Sequence, residues 1–220
     1  MSDLYGETHR SLQDGHGTRR LADRLEALAH SEFDPSDRAF IESVAMFFLA
    51  TVDERGRPTV SYKGGAPGFV RITGPGELTF PVYDGNGMYL SLGNIGSSPN
   101  VGLLFIDFES PRRLRVQGTA RIVPMDDALA DYPGAQHLVR VTVSQVFVNC
   151  GRYIHKVKDR TLSPHVPDRA GRQPFPEWKR IDMLAETLSD RDKGKVRQAG
   201  GPISVEAYRG EESPGTDTTV

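Results

Sequence analysis

The sequence predicts a mainly β protein with peripheral helices, its antiparallel strands closing into a small barrel. Three observations carry that expectation. From Arg112 to Val123, residues Leu114, Val116, Gly118, Ala120 and Ile122 interleave with Arg113, Arg115, Gln117, Thr119 and Arg121. That period of two buries one face and wets the other. Three hairpin patterns follow one another between residues 47 and 123, each split by a turn bearing Gly or Pro. The count is six or seven antiparallel strands with few helices between them, and such sheets close to remove their edges.

Each element has its own signal. Residues 1 to 17 read as a loose arm, with Gly6, Gly15, Gly17 and few apolar anchors. From Thr18 to His30, Leu21, Leu25 and Leu28 recur at helical spacing beside Ala22 and Ala29. Asp34-Pro35 is an N-cap followed by Pro at the first helical position, opening a helix through Phe40, Ile41 and Val44. Phe47 to Val52, the turn Asp53-Glu54-Arg55-Gly56 and Arg57 to Tyr62 form the first hairpin. Gly68 to Thr73 and Glu77 to Val82 flank Gly74-Pro75-Gly76 as the second. Val101 to Phe108 and Arg112 to Val123 flank Glu109-Ser110-Pro111 as the third. Met125 to Tyr132 reads as a short helix and His137 to Val148 as the final strand. Past Lys158 the chain is rich in Pro and charge, helical only over Trp178 to Leu188, and disordered from Gly210 to Val220. The expected organisation is an N-terminal arm and helix over 1–34, a barrel domain over 35–158 and a partly disordered extension over 159–220.

Composition removes several function classes. The 220 residues carry a net charge of -2, against a nucleic-acid binder that works by neutralising phosphates. No apolar run reaches bilayer length, so no membrane partner is expected. The polar start, Met1 to Arg20, has no apolar core of a secretory leader. Cys150 is the single cysteine, which rules out an intrachain disulfide and any multi-cysteine metal site. A cytoplasmic location is the expectation. The six histidines show no metal-ligand spacing, and phosphate-loop and nucleophile-elbow motifs are absent from the sequence.

Chemistry concentrates between Ser61 and Asn94. The strand ending at Val82 breaks into Tyr83-Asp84-Gly85-Asn86-Gly87-Met88 and then a helix-like segment. Such an elbow leaves N–H groups unpaired at a helix start, where they hold a phosphate or another anion, and Asn86 is placed to cap that helix. Most Gly/Asn elbows are plain turns, so this signal needs company. Lys63 stands before the Gly-rich loop Gly64-Gly65-Ala66-Pro67-Gly68. An isolated lysine there reads more readily as a solvated charge. Strand alternation, however, puts Ser61 and Lys63 on one face and Tyr62 on the other, which raises the site reading. The run Asn149-Cys150-Gly151-Arg152-Tyr153-Ile154-His155-Lys156 offers Arg152 as an anion clamp. Its thiol has a histidine nearby but no evident third group, so nucleophilic catalysis is not expected.

Taken in order, these residues resemble the pyridoxamine 5'-phosphate oxidase-like FMN-binding split barrels. The resemblance rests on Phe47 to Pro58, Ser61 to Gly65, Gly68 to Arg71, Asp84-Gly85-Asn86, Ser91 to Ile95 and Leu114 to Ala120. It spans roughly residues 35 to 180, with Asn149 to Ile154 and Pro176-Glu177-Trp178-Lys179 resembling a bacterial subgroup. It implies a six-stranded antiparallel split β-barrel that forms a homodimer, with FMN in clefts at the interface. By matched position Ser61 and Lys63 lie on the cofactor or substrate side of the cleft, and they are taken as cofactor-binding candidates. Pro81, Val82 and Tyr83 run along the flavin ring, and Asn86, Gly87 and Met88 sit at its phosphate, with Asn94 also on the cofactor side. Arg152, Tyr153 and Trp178 are substrate-side candidates, and Tyr83 is one as well. Where the vitamin B6 oxidases place an Arg-Lys pair for the phosphate, this chain has Gly87-Met88, and their C-terminal Arg/His pair has no counterpart. Phosphate contact then falls to backbone amides with Lys63, Arg71 or Arg152. The implied function is an FMN-dependent oxidoreductase acting on a small substrate, with NAD(P)H as a candidate electron donor and no evident catalytic side chain. The other readings are a non-catalytic flavin carrier, or a deazaflavin or haem protein on the same barrel.

Overall fold

The computed structural model describes residues 4–124, 131–157 and 163–211, in two compact units that divide between Arg172 and Gln173. The helix expected over Met125–Tyr132 falls almost wholly outside the described residues, as do the boundary at 158/159 and most of the end after Gly210.

Polar contacts make the N-terminal arm ordered where a loose segment was expected. Helix α1 (Glu7–Gly15) and helix α2 (Arg19–Glu26) form a pair. Arg10 bonds Asp23 at 2.6 Å and Glu26 at 2.9 Å, and Arg19 pairs with Asp14. The arm is fastened by charge, so an apolar pattern could not announce it. Helix α3 (Pro35–Ser43) starts as the sequence predicts: Asp34 Oδ1 accepts from the N–H groups of Ser36 and Asp37 at 2.7 and 2.8 Å. Just before it, His30 closes a backbone bridge onto Val146 and bonds the buried carboxylate of Asp37 at 2.6 Å.

Seven strands follow: β1 (Met46–Val52), β2 (Pro58–Gly64), β3 (Arg71–Gly74), β4 (Glu77–Tyr83), β5 (Asn100–Asp107), β6 (Arg112–Val123) and β7 (Ala135–Val148). Helix α4 (Leu90–Ser97) lies between β4 and β5. All pairings are antiparallel, in the order β2-β1-β5-β6-β7-β4-β3. The alternation in β6 is obeyed, with Leu114, Val116 and Ala120 in the core. A bulge between Gln117 and Gly118 bends the β6–β7 ladder, and a Cβ at Gly118 would lie 2.2 Å from the Thr142 carbonyl oxygen. Only glycine permits that approach.

The sheet is strongly curled. Phe47 on β1 packs edge-on against Phe80 on β4 with ring centroids 5.0 Å apart, although β5, β6 and β7 intervene in the sheet order. Phe105 and Phe69 close the same aromatic core. The expected six-stranded closed ring is corrected on two points: among the described residues the sheet has seven strands, and its ends, β2 and β3, do not pair. The inward face of β2 carries Thr59, Ser61 and Lys63, and Ser61 and Lys63 meet the end of β4 and the start of α4 across a cleft rather than a ladder.

The second unit holds two short 3-10 turns, Glu177–Arg180 and Asp182–Thr187, then α5 (Asp190–Gln198) and α6 (Val205–Glu211). The helix predicted over Trp178–Leu188 is therefore broken. Ile181 turns extended (ψ 122) and bridges Ile203, which ends one turn and begins the next. Among the described residues no helix is long and apolar enough to cross a membrane.

Candidate functional site

Register fixes the first wall of the site. Phe47, Leu49 and Thr51 point into the core, and their partners across the ladder are Lys63, Ser61 and Thr59. Ser61 and Lys63 therefore share the inward face, and Tyr62 lies on the outer one against Phe48. Ser61 Oγ is 3.1 Å from Ser91 Oγ, which ties β2 to the first turn of α4. Lys63 is half-buried, and no acid or hydrogen-bond acceptor among the described residues engages it. Burial alone pushes its pKa below the ordinary lysine value.

The second wall is the elbow. Asn86 Oδ1 accepts from the N–H of Met88 at 3.1 Å, forming a side-chain turn, and Gly87 takes φ 78. Asn86 thus supports the turn rather than capping the helix. The N-cap is Tyr89, in the left-handed region at φ 47, with no side-chain cap bond. A non-glycine residue held there costs energy that the surroundings supply. Tyr89 Oη donates to Gln136 Oε1 at 3.3 Å, and its ring stands edge-on to His137. Gln136 in turn donates to Asp84 Oδ1 at 2.8 Å. This bracket pins the elbow to the start of β7 and leaves the first amides of α4 without a side-chain acceptor.

Between the walls lies a cleft of about 360 Å3. The structure brings Ser61, Lys63, Val82, Tyr83, Asn86, Gly87 and Met88 to its lining, together with Ser91. Pro81 and Asn94 are not brought to it. Pro81 is buried in β4 opposite Leu138. Asn94 is buried, donating from Nδ2 to Thr51 Oγ1 at 3.0 Å and Thr59 Oγ1 at 3.3 Å, so its amide is spent inside the core. Ser91, Tyr89 and Gln136 were not among the candidates drawn from sequence. A serine in a helix's first turn was a readable sign, but the Gln136 contact spans 47 residues and leaves no local trace.

The remaining candidates lie elsewhere. Arg71 donates to the Asp131 carbonyl at 2.7 Å and stacks on Tyr132, so it is engaged outside the cleft. The Arg152 guanidinium sits 5.7 Å from the centre of the Tyr153 ring, and neither residue lines the cleft. Cys150 is exposed, and its thiol pKa is lowered chiefly by the Arg152 backbone N–H; no hydrogen bond joins it to His155 among the described residues. Trp178 belongs to the second unit, under the Lys179 ammonium at 5.7 Å.

Such an arrangement can hold an elongated anionic molecule, with a cation on one wall and helix amides on the other. The sequence profile described as Pyridoxamine 5'-phosphate oxidase matches residues 33–158. A search of curated proteins finds no match. Similar solved structures include an F420 reductase, 24% identical, TM-score 0.38, covering 50% of this chain and 94% of that one. Another is HutZ, the heme storage protein of Vibrio cholerae, at 21% identity and TM-score 0.41, covering 53% and 94%. A third is an FMN-binding protein of Syntrophomonas wolfei, at 10% identity and TM-score 0.41, covering 63% and 97%. Likenesses of that size carry no part of the assignment, which rests on the sequence match. Since that match covers more than half of its residues, the chain belongs to the pyridoxamine 5'-phosphate oxidase-like family.

Proposed function

We propose that the cleft between β2 and the elbow holds FMN, and that the protein is a flavin-dependent oxidoreductase acting on a small organic substrate as a homodimer. The observation that carries this reading is Lys63: a half-buried cation with no partner among the described residues, on the wall opposite the uncapped start of α4. An unpaired, desolvated ammonium is unfavourable by itself and becomes favourable once an anion arrives. The cleft therefore fits a phosphorylated group by the chemistry of its donors. Lys63, Ser61, Ser91 and the first amides of α4 would hold the phosphate end, and Val82 and Tyr83 would flank the ring system.

When bound, a flavin supplies reversible hydride and electron transfer. The chain's own part is to bind, orient and shield. Ser61 and Ser91 fix the spacing of the walls. The Asp84–Gln136–Tyr89 bracket holds the elbow in shape. Exposed apolar side chains at the rim, Met88, Tyr89 and Leu90, give a second copy of the chain a surface to cover. No histidine among the described residues lines this cleft, so a haem would find no imidazole there.

The absorption spectrum of the purified protein and the mass of the cofactor it releases test the reading. A flavin band near about 450 nm, released FMN and bleaching by NADH or NADPH are expected. A Soret band, or a colourless protein that takes up no FMN when supplied, would overturn it.

A further inference from the structure

Lysines withdrawn from water ordinarily keep a partner. Lys179 does so, setting its ammonium 3.1 Å from Asp192. Lys63 does not: it is half-buried in the cleft wall, and no hydrogen bond or ion pair to a described residue holds its Nζ. Burial keeps its pKa below the ordinary lysine value, with no charge nearby to restore it. Such a lysine gives up its proton more readily than a surface one, and the free amine is a nucleophile toward a carbonyl carbon.

The cleft meets a carbonyl ligand at both ends. Ser61 lies two residues from Lys63 on the same inward face of β2, roughly 7 Å along the strand. Its hydroxyl stands 3.1 Å from Ser91 Oγ in the first turn of α4, whose leading amides have no side-chain cap. A phosphate seated at these hydroxyls and amides leaves Lys63 facing a group several bonds away in the same molecule. Tyr83 lines the same cleft. Burial raises its pKa above the ordinary tyrosine value, outweighing the opposing charge of Arg71, so its hydroxyl is protonated and donates to a carbonyl oxygen.

We propose that Lys63 is a covalent capture site for a short aldehyde that carries a phosphate. The Nζ lone pair attacks the carbonyl carbon. The carbinolamine so formed takes up one proton and loses its oxygen as water, which leaves a protonated imine. Nothing is oxidised or reduced. The capture needs only the chain's own amine, hydroxyls and amides, so it stands apart from the cofactor reading above.

Glyceraldehyde 3-phosphate is the probe, with glyceraldehyde as its phosphate-free counterpart. The full-length protein is treated with each at about pH 7 in the presence of cyanoborohydride, which reduces an imine to a stable amine, and peptide mass mapping follows each lysine over time. With the phosphorylated aldehyde, Lys63 should be modified at least about ten-fold faster than the exposed Lys156, and inorganic phosphate should slow it. Glyceraldehyde should lose most of that preference. Lys63→Arg keeps a cation on the wall; it should remove the fast modification and leave that of Lys156 unchanged. Modification of Lys63 no faster than of Lys156, or at equal rates with the two aldehydes, would overturn the proposal. FMN should protect Lys63 as phosphate does. Protection by phosphate without protection by FMN would count against the cofactor reading and leave the capture standing, so the two failures separate.

Discussion

Lys63 and His30 show how one burial effect leads to opposite outcomes. Both are partly removed from water, which disfavours their charged forms. No group among the described residues offsets that cost at Lys63, so Lys63→Met should leave the melting temperature of apoprotein unchanged or raised. At His30, desolvation is the largest single influence. The hydrogen bonds to Asp37 and the Leu28 carbonyl, with the charges of Asp37 and Asp34, together outweigh it and raise the pKa above 6.5. The sign follows: the stabilisation from charged His30 is complete below the unfolded-state pKa and is lost as pH rises through the folded-state value. The melting-temperature gap between wild type and His30→Gln should therefore shrink from about pH 5.5 to about pH 8.5. A gap that widens over that range would contradict the account. The shared face of Ser61 and Lys63 was legible in the sequence because strand alternation is strictly local. The partner of His30 was not, because the bridge to Val146 joins segments far apart in the chain.

At the scale of elements, the elbow and α4 carry both a site and a structural knot. The Thr51–Thr59–Asn94 network links β1, β2 and α4 in a buried setting. Asn94→Ala removes the shared donor to two threonine hydroxyls, which keep only their bond to each other, and should cost about 1–3 kcal/mol in chemical denaturation, with FMN affinity of the folded protein within about two-fold of wild type. A large loss of FMN affinity at unchanged stability would return Asn94 to the cofactor. The sequence resemblance put Asn94 on the cofactor side because it follows the elbow closely. Helical geometry turns that residue inward, a distinction that neighbouring letters do not encode. The strands themselves were readable: β6 from its clean alternation, β1 and β2 from the turn at Asp53–Gly56. Helix α1 was hidden because ion pairs to α2, rather than an apolar stripe, hold it. The break at Ile181 was hidden because it depends on pairing with Ile203.

For the whole molecule, the curled sheet that fails to close is the organising feature. Phe47 meeting Phe80 across three intervening strands brings β2 and the end of β4 near each other, and no ladder joins them among the described residues. The outer face of β2 leaves Val60 and Tyr62 more than 60% exposed, at 68% and 63%. Sedimentation should accordingly report a dimer, and Val60→Glu should shift it toward monomer; a wild-type monomer at micromolar concentration would contradict the dimeric reading. The most direct test of the central claim compares FMN with riboflavin, which lacks the phosphate, by quenching of flavin fluorescence in wild type and Lys63→Met. The account predicts that wild type prefers FMN by at least about ten-fold and that Lys63→Met loses most of that preference. Equal affinity for the two flavins in wild type, or a preference untouched in Lys63→Met, would contradict it.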